Sequence, residues 1–315
     1  MRHAKKDAYA RYGVSELIEH ISNRRFVNRP SLGSYVDTEF DTYMELAGGK
    51  EDILHVNARL HYFERGTGRP VILLHGALQN LYTFRNNIGD LSAGRRVIAM
   101  DLPGHGFSDC PDITYSVDDM SIAVGAFMDA LEIESADFVA FGQAAAYAAH
   151  FACYNKERAG SLILIHPGPM LSTALPGAKS IAGSFGGSIG KYTKFSFMQR
   201  ALEDAYFDRT LLTAHIVEEY CANFADPEHR QAMRLAVVNF DDDETLSKLE
   251  MLDKPVLLIS ANDDTVSNRE DVDAYKEVLQ NGFSVDIRNC GYFPQEEKPD
   301  KVDKAIVEFL EKYEV

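Results

Sequence analysis

No stretch of the 315-residue sequence approaches the ~18 consecutive apolar residues that a membrane-crossing helix needs. Cysteine is scarce. Cys110, Cys153, Cys221 and Cys290 lie far apart and form no C-x-x-C pair, so neither a disulfide framework nor a zinc site is readable. They read as reduced thiols, with Cys290 the one candidate for reactivity. Positive charge is short as well: 32 Lys and Arg against 48 Asp and Glu leave a net charge of −16. Such a chain repels polyanions, which argues against nucleic acid and anionic membrane surfaces as partners. Arg2, Lys5 and Lys6 are not followed by an apolar run, so a secretory leader is not expected and a reduced, cytoplasmic setting is. The acidic run Asp241–Glu244 reads as a solvated linker, because consecutive carboxylates cannot all face one ion. Neither a metal nor a cofactor is expected.

What is present is alternation of strands and helices. Residues 1–50 read as an extension with one amphipathic helix, since Ala8, Tyr12, Leu17, Ile18 and Ile21 approximate helical spacing. This arm packs either on its own core or on a neighbouring subunit; monomer and homodimer both remain open. Residues 53–56 and 58–63 suggest a hairpin-like pair. Val71–Leu74, Arg96–Asp101, Phe138–Phe141, Ser161–Ile165, Pro255–Ile259 and Ser284–Ile287 are short apolar runs suited to strands of a buried sheet. Ser116-x-x-Asp119 is a capping box opening a helix to about Leu131, and Val302–Phe309 is a closing helix. Between 167 and 250 the alternation breaks. A Gly/Ser-rich segment at 182–190 and helical patterns there, one opened by Asp226-Pro227, predict an inserted helical cap. The expected architecture is α/β: a mostly parallel central sheet with helices on both faces, a core of residues 51–166 and 251–315, and a cap of residues 167–250. Ligands of such sheets bind beyond the carboxyl ends of the strands, where His75, Asp101, the turn after Phe141, His166 and Asp264 all fall.

The segments His75-Gly76, Asp101–Asp109, Gly142-Gln143-Ala144-Ala145-Ala146, Asp263-Asp264 and Gly291-Tyr292-Phe293-Pro294 together resemble the α/β-hydrolase family, especially its capped branch of epoxide hydrolases, dehalogenases, C–C hydrolases and small esterases. The resemblance runs from about residue 53 to the end. It implies a nucleophile elbow of the form G-x-S-x-G, with Ala144 in the serine's place. It implies oxyanion donors at the Ala77 and Ala145 N–H groups, a catalytic acid at Asp264 (Asp263 less so), and a histidine where Tyr292 now stands. Two of three triad members are therefore replaced. Losing nucleophile or base in such a triad costs about a millionfold in turnover, and Tyr292, with a free pKa near 10, is a poor base.

Candidate stand-ins are His75, His150, His166, Cys290 and Tyr147. His75, Gln143 and His166 are the residues expected to touch a ligand, whereas Ser108 reads as a turn residue. Phe195, Phe197, Met198, Tyr206 and Phe207 line the pocket or form the cap's own core. Three functions fit. One is a non-hydrolytic, cofactor-independent enzyme (isomerase, epimerase, cyclase or lyase type) acting on a small molecule or peptide through Asp264, Tyr292 and the oxyanion hole. Another is a pseudo-hydrolase that binds its ligand and does no chemistry. The third is a hydrolase whose serine has been exchanged for Ala144, with another histidine such as His166 as base.

Overall fold

The computed structural model describes residues 33–46, 50–168, 199–241, 243–267, 269–279 and 282–313. The expected N-terminal helix and the Gly/Ser-rich segment lie outside these residues. Eight strands form one sheet in the order β1-β2-β4-β3-β5-β6-β7-β8. They are β1 (Ser34–Leu46), β2 (Lys50–Arg65), β3 (Pro70–Leu74), β4 (Arg96–Met100), β5 (Ala136–Phe141), β6 (Ala159–Ile165), β7 (Val256–Ala261) and β8 (Gly282–Ile287). The β1/β2 and β2/β4 pairs are antiparallel; every pair from β4 to β8 is parallel.

Two expectations need correction at this end of the sheet. Residues 53–63 do not fold back on themselves but run inside the single strand β2, whose partner is β1. The core therefore begins by Ser34, within the stretch assigned to a helical extension. In β1 the inward positions include Thr38, Phe40 and Thr42, all buried. Two of those three are threonines, which hide the alternation from a hydropathy reading but suit a strand by their branched Cβ. Thr38 donates to the Ala58 carbonyl at 2.7 Å, and the Thr42 hydroxyl donates to Asp119.

Helices α1 (Ile88–Leu91), α2 (Val117–Ala130) and α3 (Ala144–Tyr154) come from the first half. The capping box at α2 forms as expected: Ser116 Oγ accepts the Asp119 N–H at 3.1 Å and Asp119 accepts the Ser116 N–H at 3.2 Å. Helical residues 199–205, α4 (Ala214–Cys221) and α5 (Pro227–Val238) belong to the inserted segment, and Asp226 caps α5 with Pro227 in its first turn. Helix α6 (Thr245–Glu250) buries Leu249 in the same layer as α3 and α7 (Arg269–Val278), so the core resumes before residue 251. Short α8 (Pro294–Glu297) and α9 (Pro299–Lys312) close the fold.

The parallel strands β3 to β7 are buried on both faces, which is why their sequences are largely apolar, whereas the edge strand β8 is mostly exposed. One face packs α2, α3, α6 and α7; the other packs α1, α9 and the inserted helices. On this second face Asp303 of α9 accepts from Asn87 Nδ2 at 2.8 Å, while its second oxygen is buried and unpartnered. Burial, with Asp90 and Asp300 nearby, pushes its carboxyl up to about 7. A carboxyl whose folded pKa exceeds its ordinary value favours folding while protonated and loses that advantage as pH rises from about 4 to 7. Asp303→Asn keeps the acceptor and stays neutral. The expected result is a melting temperature about 5 °C higher than wild type at pH 8 and little difference at pH 4, measured by calorimetry.

Candidate functional site

The turn after β5 is where the sheet meets α3. Strand β5 is wholly buried and ends at Phe141; Gly142 then takes φ +60° and donates its N–H to Ile165 O at 3.0 Å. A strained residue with positive φ is the mark of the nucleophile's own position in a strand-to-helix elbow. A Cβ added to Gly142 would sit 2.9 Å from Tyr292 Oη and 3.7 Å from Gly76 Cα. Ala144, in contrast, is the first residue of α3 and is buried in the layer that holds α2. The nucleophile's seat is thus Gly142 rather than Ala144, and the elbow reads Ala140-Phe141-Gly142-Gln143-Ala144. Alanine replaces glycine at both outer positions because it is nearly as small.

This shift corrects a second expectation. The Ala145 N–H already donates to Gly142 O at 3.1 Å and cannot serve an oxyanion. The N–H next to the seat is that of Gln143. It and the Ala77 N–H carry no hydrogen bond among the described residues.

Asp264 follows β7 and is held by three donors. Val266 N–H reaches Oδ1 at 2.8 Å, Ser267 N–H reaches Oδ2 at 3.0 Å, and the Ser267 hydroxyl also donates to Oδ2. It is not left without an imidazole, as the sequence suggested. His166, at the end of β6, places Nδ1 3.3 Å from Asp264 Oδ2 and 3.2 Å from Ser267 Oγ. Its backbone is strained at φ +42° and anchored by N–H to Ile259 O at 2.9 Å. Burial holds the imidazole down to about 4 against the opposing pull of Asp264 and Asp286. The ring is therefore neutral at pH 7. A neutral ring with Nδ1–H turned to a carboxylate carries its lone pair on Nε2, and His166 Nε2 is buried with no hydrogen-bond partner.

Tyr292 lies against this pair. Its ring centroid is 5.3 Å from that of His166 and 5.0 Å from that of Phe141. Its hydroxyl is buried and unpartnered, and burial, reinforced by the Asp264 charge, raises its pKa well above the ordinary phenol value. It remains a donor, not a base. Its N–H donates to Ala205 O at 2.8 Å, which ties the 289–293 loop to the inserted helices.

The other candidates do not join this constellation. His75 is fully buried with both ring nitrogens engaged: Nε2 accepts the Leu102 N–H at 3.0 Å and Nδ1 faces Gly76 O at 2.9 Å. It shapes the turn and has no free edge for a ligand, contrary to the expectation of contact. His150 pairs with Asp118 at 3.1 Å, Tyr147 packs edge-on against Phe240, and Ser108 donates to Asp101 O at 2.6 Å. Asp263 accepts from the Asn289 N–H at 2.9 Å. Cys290 is buried, and burial with the Glu297 charge pushes its thiol up to about 12, so it is not a reactive thiolate. Tyr206 is buried with its hydroxyl on Glu296, whereas Phe207 is exposed; Phe195, Phe197 and Met198 fall outside the described residues. Gln143 is buried, and its Oε1 has no partner among the described residues. Nothing in the sequence pattern singles out Gln79, whose side chain is buried with neither amide atom bonded among the described residues.

Among the described residues no group of three His, Cys, Asp or Glu side chains could hold a metal, and no helix is long and apolar enough to cross a membrane.

Residues 69–206 match the family model described as alpha/beta hydrolase fold. A 2-hydroxy-6-oxononadienedioate/2-hydroxy-6-oxononatrienedioate hydrolase of Comamonas testosteroni is 34% identical over 55% of this chain and 63% of its own length. A haloalkane dehalogenase of Agrobacterium fabrum is 30% identical over 37% of this chain and 38% of its own length. The chain thus spans less than two thirds of either relative. Among solved structures, a meta-cleavage product hydrolase from Pseudomonas fluorescens superposes with a TM-score of 0.68 at 24% identity, covering 86% of this chain and 97% of that one. A thermophilic esterase from Thermogutta terrifontis gives 0.71 at 20% identity over 88% and 99%.

Proposed function

Because the chain belongs to the α/β-hydrolase superfamily yet has glycine in the nucleophile's seat, we propose that it catalyses a cofactor-independent, non-hydrolytic proton transfer on a small organic molecule or peptide bound at the elbow, of isomerase, epimerase, cyclase or lyase type. The carrying observation is the Asp264–His166 pair: a neutral imidazole, oriented by a carboxylate, with an unpartnered lone pair beside an elbow that has nothing to acylate. In this reading His166 Nε2 removes a proton from carbon next to a carbonyl. Asp264 holds the tautomer and stabilises the imidazolium that forms. The Ala77 and Gln143 N–H groups receive the enolate oxygen; the Tyr292 hydroxyl returns a proton to carbon and recovers one from the adjacent His166 imidazolium, which resets both groups. The hydroxy-oxo acids and haloalkanes in the relatives' names are small organic molecules, and a substrate of that size is carried over from them.

The test is exchange of the α-protons of cyclohexanone in D2O, followed by proton NMR. The protein should accelerate exchange, with a rate flat above about pH 5 because the base has lost its proton by then. His166→Ala should bring it to background, a loss of about 10²–10⁴-fold. Exchange indifferent to His166→Ala overturns the reading. Ligand binding with no exchange at all favours the second reading, a pseudo-hydrolase that only binds, for which the Tyr292 hydroxyl beside the nucleophile's seat speaks.

A further inference from the structure

Gln79 is 2% exposed, and neither its Oε1 nor its Nε2 has a hydrogen-bond partner among the described residues. Leaving a buried donor or acceptor unpaired costs about 1–3 kcal/mol each, so folded proteins rarely keep a whole amide in that state. Its position is not incidental. Gln79 follows Ala77 by two residues, after Leu78 in the left-handed region at φ +61°. The next residue, Asn80, caps the 3-10 turn Leu81–Phe84 and reaches across to Glu219 O of α4 at 3.5 Å. Gln79 thus lies in the turn after β3, next to the residue that meets the inserted helices. The same strand ends carry three further unpartnered buried atoms: Gln143 Oε1, His166 Nε2 and Tyr292 Oη.

From these atoms we infer that the site takes an uncharged ligand presenting an N–H beside a C=O on one edge, a lactam or other cis-amide, and that Gln79 is the specificity residue that reads this edge. The inference rests on the elbow being a ligand site, as in the function proposed above. A cis-amide edge pairs with a carboxamide through two parallel hydrogen bonds: the ligand N–H donates to Gln79 Oε1 and the ligand C=O accepts from Nε2. No lysine or arginine is among the four residues whose unpartnered atoms lie at these strand ends, Gln79, Gln143, His166 and Tyr292. The one charge in the cluster, the Asp264 carboxylate, is negative and engaged by Val266, Ser267 and His166. A carboxylate ligand would meet no counter-charge there and would sit near a like one. A ligand with only an acceptor would leave half of the Gln79 amide unpaired, and sites built on paired hydrogen bonds reject such analogues strongly.

The experiment compares 2-piperidone with N-methyl-2-piperidone, by calorimetric titration of the full chain. Wild type should bind the N–H lactam in the millimolar range and the N-methyl analogue at least about tenfold more weakly. Gln79→Leu, and Gln79→Met as the closer match in shape, should abolish that preference and raise the melting temperature of the free protein, since an orphaned amide is exchanged for apolar atoms. Failure of wild type to bind 2-piperidone at about 10 mM overturns the inference. So does a preference that survives in either variant, or a fall in melting temperature in both, which would mean that the amide has a structural partner. His166→Ala separates the two proposals. A lactam preference that persists there without any wild-type proton exchange sustains the Gln79 assignment and sinks the catalytic one; exchange that depends on His166 with no lactam preference does the reverse.

Discussion

Introducing serine at Gly142 together with Tyr292→Phe should give the protein an ester hydrolase activity. The Gly142 seat already has the positive φ of an elbow nucleophile, and its neighbour His166 is neutral, carboxylate-paired and free at Nε2. Gly142→Ser alone brings its new Cβ to 2.9 Å from Tyr292 Oη, too close for the rigid phenol to yield cheaply. Deleting that oxygen clears the space. With p-nitrophenyl acetate as probe, the double variant should exceed wild type by at least about a hundredfold, the low end of what a positioned base contributes. A burst of nitrophenol equal to the enzyme concentration would report the acyl-enzyme. Ala144→Ser should gain nothing, because that side chain is packed against the α2 layer. Activity from Ala144→Ser, and none from the double variant, would refute the placement of the seat at Gly142.

Loss of the Glu296 carboxylate should produce the largest fall in stability. The side chain is wholly buried in α8 and gathers Arg85 at 2.6 Å, the Thr83 hydroxyl at 2.8 Å, and the hydroxyls of Tyr206 and Tyr220 from the inserted helices. Glu296→Ala leaves Arg85 without its partner and two buried phenols without their acceptor. Removing one member of a buried ion pair costs about 3–5 kcal/mol, and the phenols add to that. Urea unfolding should show the drop in midpoint, and limited proteolysis should show early cleavage within residues 199–238. Glu296→Gln, which keeps the shape and an acceptor, should lose clearly less. Equal effects of the two variants would mean that volume, not charge, holds this cluster.

The central parallel strands are legible because burial on both faces leaves few polar positions in them. Strand β1 is not, because threonines carry its inward face, at Thr38 and Thr42. The elbow is visible in the sequence as a strand, a small-residue turn and a helix, but its register is one the small residues alone do not define. Gly142 looked like the first glycine of the motif when it occupies the nucleophile's position; the end of the apolar run at Phe141 was the available signal. His166 is legible from the sequence as a ligand-contact and stand-in base candidate, but its pairing with Asp264 is not. Its contact with Asp264 joins residues 98 apart in sequence, and no local pattern encodes it. Gln79 escaped notice for a related reason: an unpaired amide is a property of its surroundings, not of its type.

The bond from the Gly142 N–H to Ile165 O has a further consequence. It fastens the elbow to the residue immediately before His166, while His166 itself is fastened to β7. Base and elbow therefore belong to one hydrogen-bonded ladder. The loop around Tyr292 is instead tied to the inserted helices, through Ala205. A change in those helices would reach the site through Tyr292 before it altered the spacing of His166 from the elbow.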